Sequence, residues 1–162
     1  MGENLQTVIL KPAELHVAFS PCRIVTVLGS CVAVCLYDEQ EEAGAMCHCI
    51  FPEKAEVVVD RPDFSYVDVA VRHMAARLRQ GGAVDLRAKL FGGADVIEIY
   101  PRQTNRTVGA RNVAAARQAL MQHGIALVAQ RTGGLRGYRV AFLPHCGRVS
   151  LSLLERRGDP NG

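Results

Sequence analysis

The sequence predicts a mixed α/β fold, of the α+β kind, on three observations. Short runs rich in Val and Ile crowd the first third of the chain, two later stretches carry apolar residues at helical spacing, and alternating runs close the sequence. The resulting order of strands, helix, strand, helix, strands departs from the regular alternation of a doubly wound parallel sheet. At 162 residues the chain fits one domain, 1–162, with loose ends expected near 1–13 and 156–162.

Taken in order, Leu15 to Phe19, Arg23 to Leu28, Cys31 to Tyr37 and Ala45 to Phe51 are short apolar runs that read as strands. Gly29-Ser30 breaks the second from the third, and Asp38 to Gly44 is a polar turn. The first helix follows from Val67, Ala70, Val71, Met74, Ala75 and Leu78, and Gly81-Gly82 stops it. Leu86 to Phe91 reads as a strand closing on Gly92-Gly93. The second helix carries a stripe of Val113, Ala116, Leu120 and Met121 and ends at Gly124. Ile125 to Ala129, Tyr138 to Leu143 and Arg148 to Leu153 alternate as strands do.

Composition narrows the function classes. Hydrophobic residues make up 49% and charged residues 22%, an ordinary globular balance. The formal net charge is +3, and no continuous basic stripe or nucleic-acid reader motif is present. No stretch approaches the roughly 18 apolar residues of a membrane span, and the N-terminus lacks a secretory pattern. A cytoplasmic protein is therefore expected, with six reduced thiols rather than a disulfide framework.

Chemistry concentrates in the first fifty residues. Cys31 follows Gly29-Ser30 at the head of an apolar strand, where a thiol is accessible and turn N–H groups can face an oxyanion. Its ordinary alternative is a small buried hydrophobe, the role that fits Cys35, Cys47 and Cys49 better. In Met46-Cys47-His48-Cys49-Ile50, strand alternation puts His48 on one face with Met46 and Ile50, and the two cysteines on the other. An imidazole on a neighbouring strand can pair with a thiol as thiolate and imidazolium, although a lone histidine in an apolar strand is more often a core residue. Thr26 can orient the second imidazole nitrogen, or be a plain β-branched strand residue.

Other readings have less behind them. The Cys31, Cys35, Cys47, His48, Cys49 cluster invites zinc, but C-x-x-x-C with C-H-C is not a knuckle spacing. Gly92-Gly93 and Gly133-Gly134 lack P-loop residues and read as tight turns. Arg111-Asn112 reads as a helix cap, with a substrate contact as the alternative. His16, His73, His123 and His145 have no partner spacing, and Asp85, Asp95 and Glu98 form no paired-carboxylate site.

Several motifs in one order resemble the CheD family of chemoreceptor glutamine deamidases. They are Thr26-Val27-Leu28-Gly29-Ser30-Cys31-Val32-Ala33-Val34-Cys35-Leu36-Tyr37-Asp38, Gly44-Ala45-Met46-Cys47-His48-Cys49-Ile50-Phe51-Pro52, Tyr66-Val67-Asp68, Ala88-Lys89-Leu90-Phe91-Gly92-Gly93-Ala94 and Val108-Gly109-Ala110-Arg111-Asn112. The resemblance runs from about Glu14 to Glu155. It implies a β-sandwich-like core with flanking helices, similar to toxin-type cysteine deamidases with a papain-like catalytic arrangement. It places the family's catalytic cysteine on Cys31, its histidine on His48 and its threonine on Thr26. It also implies chemoreceptors (methyl-accepting chemotaxis proteins) as substrates, the CheC phosphatase as a partner, and no cofactor or metal. Gln130 to Gly134 and Tyr138 depart from the family pattern, where an acidic residue and an arginine are common. The expected chemistry is attack by Cys31 on a receptor glutamine, loss of ammonia and hydrolysis of a thioester, with methylesterase action as a related path. A non-catalytic adaptor binding CheC and a zinc-stabilised domain are the alternatives.

Overall fold

The computed structural model describes residues 4–54, 61–96 and 107–155. Among them are nine strands and two helices, arranged as two sheets and a helical layer. The five-stranded sheet is ordered β2 (Leu15–Ala18), β5 (Ala43–Cys49), β4 (Val32–Asp38), β6 (Arg87–Gly92), β7 (Ala126–Thr132). The four-stranded sheet is ordered β1 (Thr7–Ile9), β3 (Arg23–Leu28), β8 (Tyr138–Leu143), β9 (Arg148–Leu153). The mixed α+β expectation agrees with this architecture.

The five-stranded sheet lies in the middle. One face, carrying Val32, Val34, Leu36, Ala45, Cys47, Ala88 and Leu90, packs under α1 (Val67–Gln80) and α2 (Val108–Gln122). The other face, carrying Ala33, Cys35, Tyr37, Met46 and Phe91, meets Ile24, Leu28, Val140 and Phe142 of the second sheet. Every residue of β4 and β5 is consequently buried. That is why these strands read as unbroken apolar runs rather than clean alternation. The single-faced strand β8 does alternate, its Tyr138, Val140 and Phe142 buried and Arg139 exposed.

Both helices stop as their glycines predict. Gly82 has φ +109°, Gly82 N–H bonds Arg79 O at 3.1 Å, and Ala83 N–H bonds Leu78 O at 3.0 Å. Gly124 repeats the pattern at φ +66°, with Gly124 N–H on Met121 O and Ile125 N–H on Leu120 O. Both are Schellman ends, closed by the apolar pairs Ala83–Leu78 and Ile125–Leu120. The second helix starts at Val108, and its cap is Thr107, whose side chain accepts from Ala110 N–H. The cap expected at Arg111-Asn112 is therefore corrected: those residues lie inside the helix, the second of them fully buried. Met121, expected in the apolar stripe, is 78% exposed, because it sits one step around the helix from Leu120.

The N-terminal expectation also changes. Thr7–Ile9 pairs in parallel with Arg23–Val25, and Leu10 is buried. Three residues carry too little periodicity to reveal a strand whose pairing is with a distant segment. The expected loose tail at 156–162 and Glu98 lie outside the described residues. No described helix is long and apolar enough to cross a membrane.

Candidate active site

Three consecutive strands bring the candidate residues together. The chain leaves the four-stranded sheet at Leu28 and enters the central sheet at Val32, so Gly29-Ser30-Cys31 is the crossing between them. Thr26 lies three residues before Gly29, on the inward face with Ile24 and Leu28. After β4 the short turn at 39–42 returns the chain as β5, which carries His48 toward the other sheet.

Thr26 and His48 meet across the gap between the sheets. Thr26 Oγ1 lies 2.7 Å from His48 Nδ1 and 2.9 Å from Leu10 O. The carbonyl can only accept, so the single hydroxyl proton goes to Leu10 O. The threonine oxygen must then accept from the ring, which puts the proton on Nδ1. Nε2 is left with its lone pair. That is the tautomer a base needs, and it depends on β1 holding the Leu10 carbonyl behind Thr26. Both side chains are nearly sealed from solvent, Thr26 at 1% and His48 at 3% exposure.

Cys31 stands at the rim. It is only partly buried and packs against the cluster between the sheets. In the β4–β5 register Ala33 opposes His48 and Val32 opposes Cys49. Cys31 is therefore the diagonal neighbour of His48 on one face, about 7–8 Å away between backbones and closer between side chains. No hydrogen bond joins thiol and imidazole among the described residues.

Burial acts on both groups. Burial pushes the Cys31 thiol up, and a bond from its own backbone N–H only partly offsets this. Burial likewise pulls His48 below its ordinary value, with Glu14 acting in the opposite sense. Both shifts run toward the uncharged forms of the two groups, because desolvation disfavours the charged form of each.

The crossing itself is held from behind. Ala94 N–H bonds Gly29 O at 3.0 Å, Asn112 Nδ2 bonds Ser30 O at 3.1 Å, and Gly93 N–H bonds Cys31 O at 2.9 Å. Gly92-Gly93 is thus a turn, as the sequence suggests, and also a close approach. A Cβ on Gly92 would sit 2.3 Å from Cys31 O, and Gly92 has φ +107°. In the sequence Asn112 was legible as part of a helix cap or a substrate contact, with no signal for its two carbonyl partners.

The remaining cysteines are placed as alternation predicts. Cys47 and Cys49 face the helices, away from His48, and Cys35 is fully buried in β4. The described cysteines are all free thiols. Among the described residues no group of three or more His, Cys, Asp or Glu is gathered as metal ligands. Tyr138, which stands where the family commonly has arginine, is buried and donates its hydroxyl to Gly133 O at 3.1 Å.

Comparison with known proteins gives this arrangement a lineage. The family "CheD chemotactic sensory transduction" matches residues 51–153. That span lies downstream of Thr26, Cys31 and His48, but the pairwise matches are longer. A Geobacter sulfurreducens protein named probable chemoreceptor glutamine deamidase CheD 2 is 38% identical over 155 residues, 94% of this chain and 93% of that protein. The probable chemoreceptor glutamine deamidase CheD of Rhodospirillum rubrum is 37% identical over 157 residues, 96% of this chain and 86% of the other. The chemoreceptor glutamine deamidase CheD of Thermotoga maritima is 38% identical over 139 residues, 84% and 85% of the two chains. With a family match over more than half its length and relatives this similar end to end, the chain belongs to the CheD family.

Proposed function

We propose that this chain is a chemoreceptor glutamine deamidase, hydrolysing glutamine side-chain amides to glutamate with Cys31 as nucleophile, His48 as base and acid, and Thr26 as the group that orients His48. The observation that carries the reading is the Leu10 O, Thr26, His48 relay. It leaves a basic Nε2 on the sheet face it shares with a partly exposed thiol.

In the first half-reaction the Cys31 sulfur bonds to the amide carbon as the thiol proton passes to His48 Nε2. Charge builds on the amide oxygen, and N–H groups of the Gly29-Ser30-Cys31 turn are its donors. His48 then gives its proton to the amide nitrogen, the C–N bond breaks, and ammonia leaves a glutamyl thioester. In the second half-reaction water attacks the thioester carbon and His48 takes a proton from it. That proton returns to sulfur as the C–S bond breaks, restoring the thiol and releasing glutamate. Forming the imidazolium only while negative charge develops on the substrate reconciles a neutral resting pair with nucleophilic attack. The relatives' names support receptor glutamines as substrates. The same path serves a glutamate methyl ester, whose leaving group is methanol. The cytoplasm fits a free-thiol site acting on receptor helices, and family membership makes CheC a candidate partner, tested by co-purification.

The deciding experiment is mass spectrometry of glutamine-bearing receptor cytoplasmic fragments after incubation with the chain. Conversion of specific glutamines to glutamate, lost in Cys31→Ala, is expected. Equal conversion by Cys31→Ala would overturn the reading.

A further inference from the structure

We propose that Asn112 is a positioning residue for this reaction, a clamp that holds the Cys31 turn against the end of the His48 strand. The inference rests on the deamidase reading above and adds a residue from outside the three-strand unit.

Asn112 is fully buried in the first half of α2, between Arg111 and the core residue Val113. It lies too far into the helix to cap it, and Thr107 already does so. Its amide nitrogen donates to two backbone carbonyls far away in sequence, Ser30 O at 3.1 Å and Ile50 O at 2.9 Å. Two accepting partners fix which end of the amide is nitrogen. Both donors are used, while Oδ1 has no hydrogen-bond partner among the described residues. An apolar residue here would take this donor from both carbonyls, and a buried acceptor left unsatisfied is unfavourable.

The position of the two carbonyls gives these bonds their consequence. Ser30 immediately precedes Cys31. Ile50 follows His48 by two residues and, one step beyond the Val32–Cys49 pair, stands opposite Cys31. Asn112 therefore joins the two strand ends where thiol and imidazole must come within proton-transfer reach. Of the three successive carbonyls of the crossing, the outer two are held by backbone N–H groups and the middle one by this side chain. The glycines of the neighbouring segments make the reach possible. A Cβ on Gly109 would lie 2.3 Å from Gly93 O, and one on Gly93 would lie 2.4 Å from Val113 Cγ2. The start of α2 thus seats directly on the turn behind Cys31.

Thr26 and Asn112 then divide the work. The threonine sets which imidazole nitrogen is basic, and the asparagine sets how far the thiol is from it. Loss of the clamp should uncouple sulfur from base. Turnover would fall, and the residual reaction would follow ionisation of the thiol itself.

The test uses Asn112→Ala and Asn112→Asp in the full chain. The second keeps the volume and removes both donors. Thermal melts establish the folded fraction. Steady-state deamidation of a receptor fragment across the pH range is then paired with site-resolved iodoacetamide labelling of Cys31. In folded variants kcat should fall about 10- to 100-fold with KM little changed. The rate should climb toward alkaline pH instead of levelling off once His48 is neutral, and Cys31 labelling should shift in the same direction. Wild-type kcat in either folded variant would overturn the proposal, and so would a loss that is uniform across pH. Variants that both melt below the assay temperature would make Asn112 a folding residue and overturn it too. If the wild-type chain deamidates no receptor fragment, the functional reading fails, while the Cys31 labelling profile still judges the clamp.

Discussion

Replacing Thr26 by valine removes one oxygen and leaves the shape of the side chain nearly unchanged, so it isolates the hydroxyl. The lost atom accepts from His48 Nδ1 and donates to Leu10 O, in a region where Thr26 is 1% and His48 3% exposed. Two groups lose their partner where water has little access, and each such group costs about 1–3 kcal/mol when left unsatisfied. Relief is open to the histidine alone, by moving its proton to Nε2, the nitrogen required as the base. In the transition state the same bond supports a developing imidazolium, and bonds to charged groups are worth about 1.5–3 kcal/mol. Losing it should lower kcat about 10- to 150-fold. KM should hardly move, because the hydroxyl lies behind the imidazole, out of reach of substrate. The assay is ammonia release from a receptor fragment, with Thr26→Ser as the rescue that keeps the oxygen. A folded Thr26→Val with wild-type kcat, or a serine variant as slow as the valine, would refute the tautomer argument.

Three further outcomes follow from the same geometry. Cys31→Ala and His48→Ala should each fold and lose nearly all turnover, and the double variant should be little slower than either, because groups acting as a unit are non-additive; multiplicative losses would put His48 outside the reaction. Burial lowers the folded-state values of His48, His73 and His123, so as pH falls the unfolded chain takes up protons first. Stability should be fully present above about pH 6.5 and decline below it, and a melting temperature that stays flat from neutral to mildly acidic pH would contradict this. Cys35→Ala, Cys47→Ala and Cys49→Ala should each cost about 1–2 kcal/mol of stability and leave turnover per folded molecule near normal; a folded variant as inactive as Cys31→Ala would reveal a second essential thiol.

The sequence showed some of this and hid the rest for identifiable reasons. Strands buried on both faces announced themselves as long apolar runs, and two helix ends were marked by glycines that the Schellman geometry requires. Cys31 and His48 were candidates because one follows a Gly-Ser turn and the other lies in a nearby apolar run, and the family resemblance then singled them out; their common face is visible only once the β4–β5 register is known. The relay behind them was hidden, since Leu10 contributes a backbone carbonyl and follows directly on a three-residue strand. Asp38 shows the same limit. It reads as an ordinary turn residue, yet its carboxylate is buried and accepts from the N–H groups of Gln40, Glu41, Val84 and Asp85. Burial raises its pKa, but those bonds outweigh the effect and hold it below the usual carboxylate range. Partners more than forty residues away leave no local pattern to read.

A central sheet covered on both faces also separates the thiols among which the proposed chemistry selects. Cys47 and Cys49 flank His48 in sequence, but the pleat turns them under the helices, where a hydrogen bond with Cys47, together with burial, pushes the Cys49 thiol well up. Cys35 shares the face of His48 but lies four residues beyond Cys31, roughly 13 Å along an extended strand. Burial pushes it up as well. Cys31 differs because it sits in the crossing between sheets, where the backbone is tied at three carbonyls and the side chain stays partly open. Burial favours the protonated form of this thiol, and the thiolate is the reactive form. In the proposed reaction, attack then depends on a substrate carbonyl being present to take up the charge as His48 accepts the proton. On that argument the selectivity of the site comes from geometry, meaning the tautomer set by Thr26 and the turn held by Asn112, rather than from a cysteine that is already ionised.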